Sequence, residues 1–194
     1  MRIKSKWHKK GAKTTEEIAQ TAAYIIWKIA KSTVDKMYVD GFNFKSNQRL
    51  LGVIGEFVSL MLQAAGQITY ESMTPDEFAE FINITAKQLA HTMADNLSIE
   101  NPPEQFADDA KNFINHLNQR LSDYSEFSFG DNGEPSYPAL RFFGNAVEQQ
   151  MEGSDSKWVS EQVMEVEAPI VIKELKKGLS NILAHQDEEG DESK

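Results

Sequence analysis

The 194 residues are 40% hydrophobic and 26% charged, an ordinary globular balance. Cysteine is absent, which excludes disulfides, a thiol nucleophile and a cysteine metal site. The formal net charge of −10 argues against general nucleic-acid binding, because lysine and arginine drive phosphate contact.

A chain of this length forms one domain and buries roughly 70% of its unfolded surface, so its core needs no covalent staple. Its charge is unevenly placed. "MRIKSKWHKKGAK" carries six basic residues and no acid, while the remainder carries 14 basic and 30 acidic residues, or −16. In an extended arm Arg2, Lys4 and Lys6 would point one way, and Ile3 and Trp7 the other, with Lys9 and Lys10 following. Three roles are open for it: docking on an acidic surface of this chain or of a second copy, binding an external anion such as RNA, a protein or lipid, or remaining solvated. Docking is the role expected, because a solvated tail has no need of Ile3 and Trp7. No apolar run follows the basic start, since Thr14, Thr15, Glu16, Glu17 and Gln20 intervene, so a cytoplasmic location is expected.

"TTEEIAQTAAYIIWKIAKSTVDKM" opens on a capping box, Thr14 with Glu17, and then repeats Ile18, Ala22, Ile25, Ile26 and Ile29 at helical spacing. "GFNFKSN" breaks it, with Ser46 or Asn47 as the next cap. The following helix runs to about Tyr70 and is apolar on most sides. Its "LLGVIGEFVSLMLQAAG" is interrupted by Glu56 and is shorter than the ~20 residues a bilayer span needs, so no membrane span is expected. Thr74, Pro75 and Glu77 begin a third helix that ends near Asn96. After "ENPPEQF" a fourth helix buries Phe106, Ala110, Phe113, Ile114, Leu117 and Leu121. An irregular stretch runs from about Asp123 to Tyr137, and Pro138 starts a fifth helix. Asp155 or Ser156 caps the last long segment. Pro169 interrupts its apolar phase, which predicts one helix kinked there or two abutting helices. The domain boundaries expected are a basic arm over 1–13, a helical domain over 14–185 and an acidic disordered tail over 186–194. The fold class is an all-α, single-domain bundle of six to seven helices.

Four histidines are candidate ligands. His91 and His116 fall on helices joined by a short turn, which places them roughly 10 Å apart along the axis, too far for one metal ion. No metal site and no cofactor are expected. Glu56 shares a stripe with Gln48, Gly52, Ser59, Gln63 and Gly66, which reads as a weakly polar face more readily than as a catalytic acid. Lys173, Lys176 and Lys177 form a basic patch that equally serves a helix C-terminus.

The most informative interior stretch is "SDYSEFSFGDNGEPSYPALRFF". "GDNG" marks a tight turn, with a small hairpin between Phe127/Phe129 and the Tyr137 side. Long connections of this kind are often functional, and aromatics favour interfaces. The loop is either a lid tucked onto the bundle or a recognition site formed by Phe127, Phe129, Asp131, Asn132, Glu134, Tyr137 and Arg141.

"MRIKSKWHKKG", "SDYSEFSFG" and "WVSEQVMEVEAP" resemble segments of an uncharacterised group of bacterial all-helical proteins. The resemblance covers most of the chain and implies an all-helical bacterial protein; it carries no activity, cofactor or site.

The function expected is a non-catalytic binding or scaffolding protein acting through the arm and the aromatic loop. Its partner would be another protein or a second copy of itself, as in a homodimer, with nucleic acid reached only through the arm. The alternatives are a helical carrier of an apolar ligand, or a hydrolase or transferase using Asp131, Glu134 and Arg141.

Overall fold

The computed structural model describes residues 13–151 and 156–190, with side chains for 13–151 and 158–183. The arm residues Arg2, Lys4, Lys6, Trp7, Lys9 and Lys10 lie outside the described residues, as do Asp155 and the last four positions.

Each early helix begins where its capping chemistry says it should. α1 spans Thr15–Val39. The Thr14 N–H donates to Glu17 Oε2 at 3.2 Å, and the Glu17 N–H donates to Thr14 Oγ1 at 3.2 Å. This reciprocal pair satisfies two amides that would otherwise have no partner. α1 ends in a Schellman turn: Gly41, at φ 103°, lets the Phe42 N–H reach the Met37 carbonyl at 3.0 Å. α2 spans Asn47–Tyr70 and is capped by Ser46, whose Oγ accepts the Arg49 N–H at 3.2 Å. α3 spans Pro75–Leu97 behind a second capping box, Thr74 with Glu77. A short 3-10 turn over Pro103–Gln105 leads into α4, Phe106–Tyr124. α5 spans Tyr137–Gln150, with Pro138 in its first turn.

The last segment is one helical run with a wide turn inside it. α6 covers Ser156–Gln162, a π-turn covers Val163–Glu167, and α7 covers Ala168–Gly190. The Ala168 N–H bonds the Val163 carbonyl five residues back. Pro169 sits just after this turn. In an unbroken α-helix its ring would collide with the Glu165 carbonyl. Widening the preceding turn removes that conflict, which is the form the expected interruption takes. α7 stays helical to Gly190, so the expected boundary at 185/186 falls inside it.

The result is an all-α bundle of six rods. α2 is its centre and packs against α1, α3, α4, α5 and α7. Fully buried Phe57, Leu60, Met61 and Leu62 of α2 join Phe81 of α3, Tyr124 of α4 and Phe143 of α5 in one core. Phe57 and Phe143 meet edge to face at 4.9 Å. The sequence expectation that Glu56 ends the apolar run too soon for a membrane span needs correction. α2 is long and apolar enough to cross a membrane, with a mean hydropathy of 1.4 in its best window. Yet 78% of that window is buried inside the bundle, so core position accounts for its composition.

Candidate functional site

The irregular stretch after α4 is a folded cap held on three sides. Its turn closes with the Gly130 N–H donating to the Glu134 carbonyl at 2.8 Å and the Gly133 N–H to the Gly130 carbonyl at 2.8 Å. The Ser136 N–H reaches the Ser128 carbonyl at 3.0 Å. The expected hairpin reaching Tyr137 shrinks to one isolated bridge, Phe129 with Pro135, because Tyr137 already begins α5. Gly133 has φ +74°, and a Cβ there would stand 2.8 Å from the Ala64 carbonyl and 3.0 Å from Ile68. The loop backbone therefore lies directly on α2, closer than any side chain permits.

Aromatic packing fixes the base of the cap. Phe129 meets Tyr124 edge-on at 5.9 Å, Tyr124 meets Phe142 at 5.2 Å, and Phe127 meets Phe142 at 5.5 Å. Of the seven expected loop residues, Phe127 and Phe129 are thus half-buried in packing. Asp131, Asn132, Glu134, Tyr137 and Arg141 are exposed, and within the described residues no hydrogen bond or ion pair joins Asp131, Glu134 and Arg141. The loop is a lid at its base and a wall at its edge.

Under the same aromatic cluster lies a buried charge pair that sequence reasoning did not assemble. Glu56 is 0% exposed on α2. Its carboxylate accepts from Arg120 Nε at 2.7 Å and Arg120 Nη2 at 2.8 Å, a bidentate clasp across to α4. Gln150 Nε2 adds a third donor at 3.3 Å. Arg120 also reaches Asp123 at 3.3 Å and stands 5.4 Å over the Phe142 ring. The hydrogen bond to Glu56 pushes the Arg120 pKa above its ordinary value. Burial pushes the Tyr124 phenol pKa up, and its hydroxyl is buried without a partner. His116 Nε2 is 3.8 Å from Glu56 Oε1; burial lowers the imidazole pKa, and the Glu56 charge opposes that shift. One signal for the clasp was readable. Arg120 occupies the apolar stripe of Phe113, Leu117 and Tyr124 on α4, and a charge in a core stripe needs a partner.

The edge of the cap borders a recess of about 380 Å³. Glu134 and Pro135 of the loop and Leu140 of α5 form one wall; Pro169, Ile172, Lys173 and Lys176 of α7 form the other. The α7 residues recur at helical spacing and so share one face. Ile172 is buried, Leu140 and Lys176 are half-buried, and Lys173 is exposed. Within the described residues neither lysine has a carboxylate at ion-pair distance. Glu134 is the recess's one acid against these two bases. Of the expected basic patch, Lys177 is not part of the lining.

No protein-family model, no curated protein and no solved structure matches this chain. The chemistry of the site therefore rests on its own residues. Among the described residues no three His, Asp or Glu side chains converge as metal ligands do. His91 stacks on Phe106 and His116 on Phe113. The recess offers apolar walls and two primary ammonium groups. That combination suits a ligand with an apolar body and one negative end.

Proposed function

We propose that this chain is a non-catalytic binding protein whose loop–α7 recess takes a small amphipathic anion, such as an aliphatic carboxylate. One observation carries the reading: two lysines without acidic partners among the described residues, against the single acid Glu134, line a recess whose other walls are apolar, on a protein of net charge −10. Pro135, Leu140, Pro169 and Ile172 would cover the aliphatic body at about 0.8 kcal/mol per buried methylene. Lys173 and Lys176 would select the charged end, and Glu134 opposite them would disfavour a second negative group. Because Gly133 seats the loop on α2, one wall is formed before any ligand arrives, which lowers the ordering cost of binding.

Calorimetric titration of the full chain with decanoate and with decanol tests the reading. Decanoate binds saturably and decanol at least tenfold more weakly. The double variant K173E/K176E weakens decanoate at least tenfold at low salt. Equal decanoate binding by the wild type and the double variant would refute the site.

A further inference from the structure

A second opening of about 350 Å³ lies where α2, α3 and α4 meet; it shares no lining residue with the loop–α7 recess, and its chemistry is different. Asp109, Asn112, Phe113 and His116 form one stripe of α4 along it. Gln48, Leu51, Gly52 and Gly55 of α2 face that stripe, Met93 and Leu97 of α3 supply an apolar side, and Gln150 of α5 closes one end. Among the described residues no lysine or arginine lines it. Glu56, just behind it, already has its charge matched by the Arg120 clasp. The charge left facing the groove is therefore the half-buried Asp109 carboxylate, which accepts from Asn101 Nδ2 at 2.9 Å and keeps further lone pairs.

The far end of the groove is neutral but polar. His116 turns its Nε2 inward toward Glu56, where that atom is buried, and 29% of the side chain remains exposed. The other ring nitrogen, Nδ1, accepts a hydrogen bond when the neutral ring carries its proton on Nε2. Asp109 and His116 are seven residues apart on one helix, so their backbone positions are roughly 10 Å apart along its axis. Phe113 lies between them in the stripe.

We propose that this groove is a separate binding site for a linear aliphatic amine with donor groups at both ends. One ammonium meets Asp109. The chain lies along Phe113, Met93 and Leu97. The distal nitrogen donates to the acceptors at the His116 and Gln150 end. An anion has no cationic partner here, and a fully apolar molecule would leave Asp109 desolvated and unpaired.

The test is calorimetric titration of the full-length chain with diaminoheptane, heptylamine and the dicarboxylate pimelate. Diaminoheptane is expected to bind saturably, heptylamine at least fivefold more weakly, and pimelate not at all. Asp109→Asn should weaken diaminoheptane at least tenfold, while Asp108→Asn, exposed beside the stripe, should leave it unchanged. If Asp109→Asn fails to fold by circular dichroism, Asn112→Arg replaces it, because it places a positive charge in the groove from an exposed position. Diaminoheptane binding that survives the charge change unaltered, that responds equally to Asp108→Asn, or that does not saturate would overturn the proposal. None of these outcomes depends on the loop–α7 recess, which decanoate probes independently.

Discussion

Arg120 and Glu56 show how one buried contact organises its neighbours. Removing the guanidinium leaves a carboxylate at 0% exposure without its bidentate partner, a change that typically costs about 3–5 kcal/mol. Arg120→Met should therefore lower unfolding free energy by that amount in urea titration. The double variant Glu56→Leu with Arg120→Met should recover most of the loss, because the orphaned charge is gone. Additive losses would mean that the pair is not coupled. His116 gives a pH test. Its folded pKa is depressed by burial, so between that value and the unfolded pKa of about 6.5 the unfolded chain binds more protons. This contribution to stability is complete above about pH 6.5 and is lost as pH falls toward the folded pKa. His116→Gln should flatten the stability profile in that window, as read by denaturant midpoints across pH. At this scale the sequence was legible in its caps, where Thr14 and Thr74 need only a residue three positions on. Glu56 was read only as part of a weakly polar stripe, without its partner, because that partner lies 64 positions away and helical spacing reports the face but not what meets it.

At the scale of elements, the loop and the π-turn are irregular features on the two sides of the recess in sequence: the loop supplies Glu134 and Pro135 to it, and the helix that follows the π-turn supplies Pro169, Ile172, Lys173 and Lys176. Gly133 anchors the loop through a positive φ and contact with the Ala64 carbonyl. Gly133→Ala meets two penalties: left-handed backbone costs about 1–2 kcal/mol for a residue with a Cβ, and the new methyl collides with α2 backbone. Gly130→Ala, whose Cβ has nothing nearer than 3.8 Å, should cost less than half as much. Thermal unfolding of the two variants decides this, and equal losses would mean that the loop is not seated on α2 as described. Pro169 announced an interruption in the sequence, since its ring chemistry is local. The π-turn was not readable. It depends on how α6 and α7 pack against α5 and α1, and periodicity carries no record of that.

For the whole molecule, the all-α bundle was legible because helical phase and capping are both short-range properties. The recess was not, because its walls come from residues about 40 positions apart, Glu134 and Pro135 on one side and Lys173 and Lys176 on the other. Loop and basic patch each drew notice as separate features; only the packing of α5 against the α6–α7 run brings them to one opening. We propose that this opening is where the protein binds its ligand. Amide chemical-shift mapping of the full-length chain during decanoate titration tests it most directly. Saturating shifts confined to Glu134–Leu140 and to the first three turns of α7 are expected. Shifts centred on the groove between α2 and α4, or scattered without saturation, would contradict it.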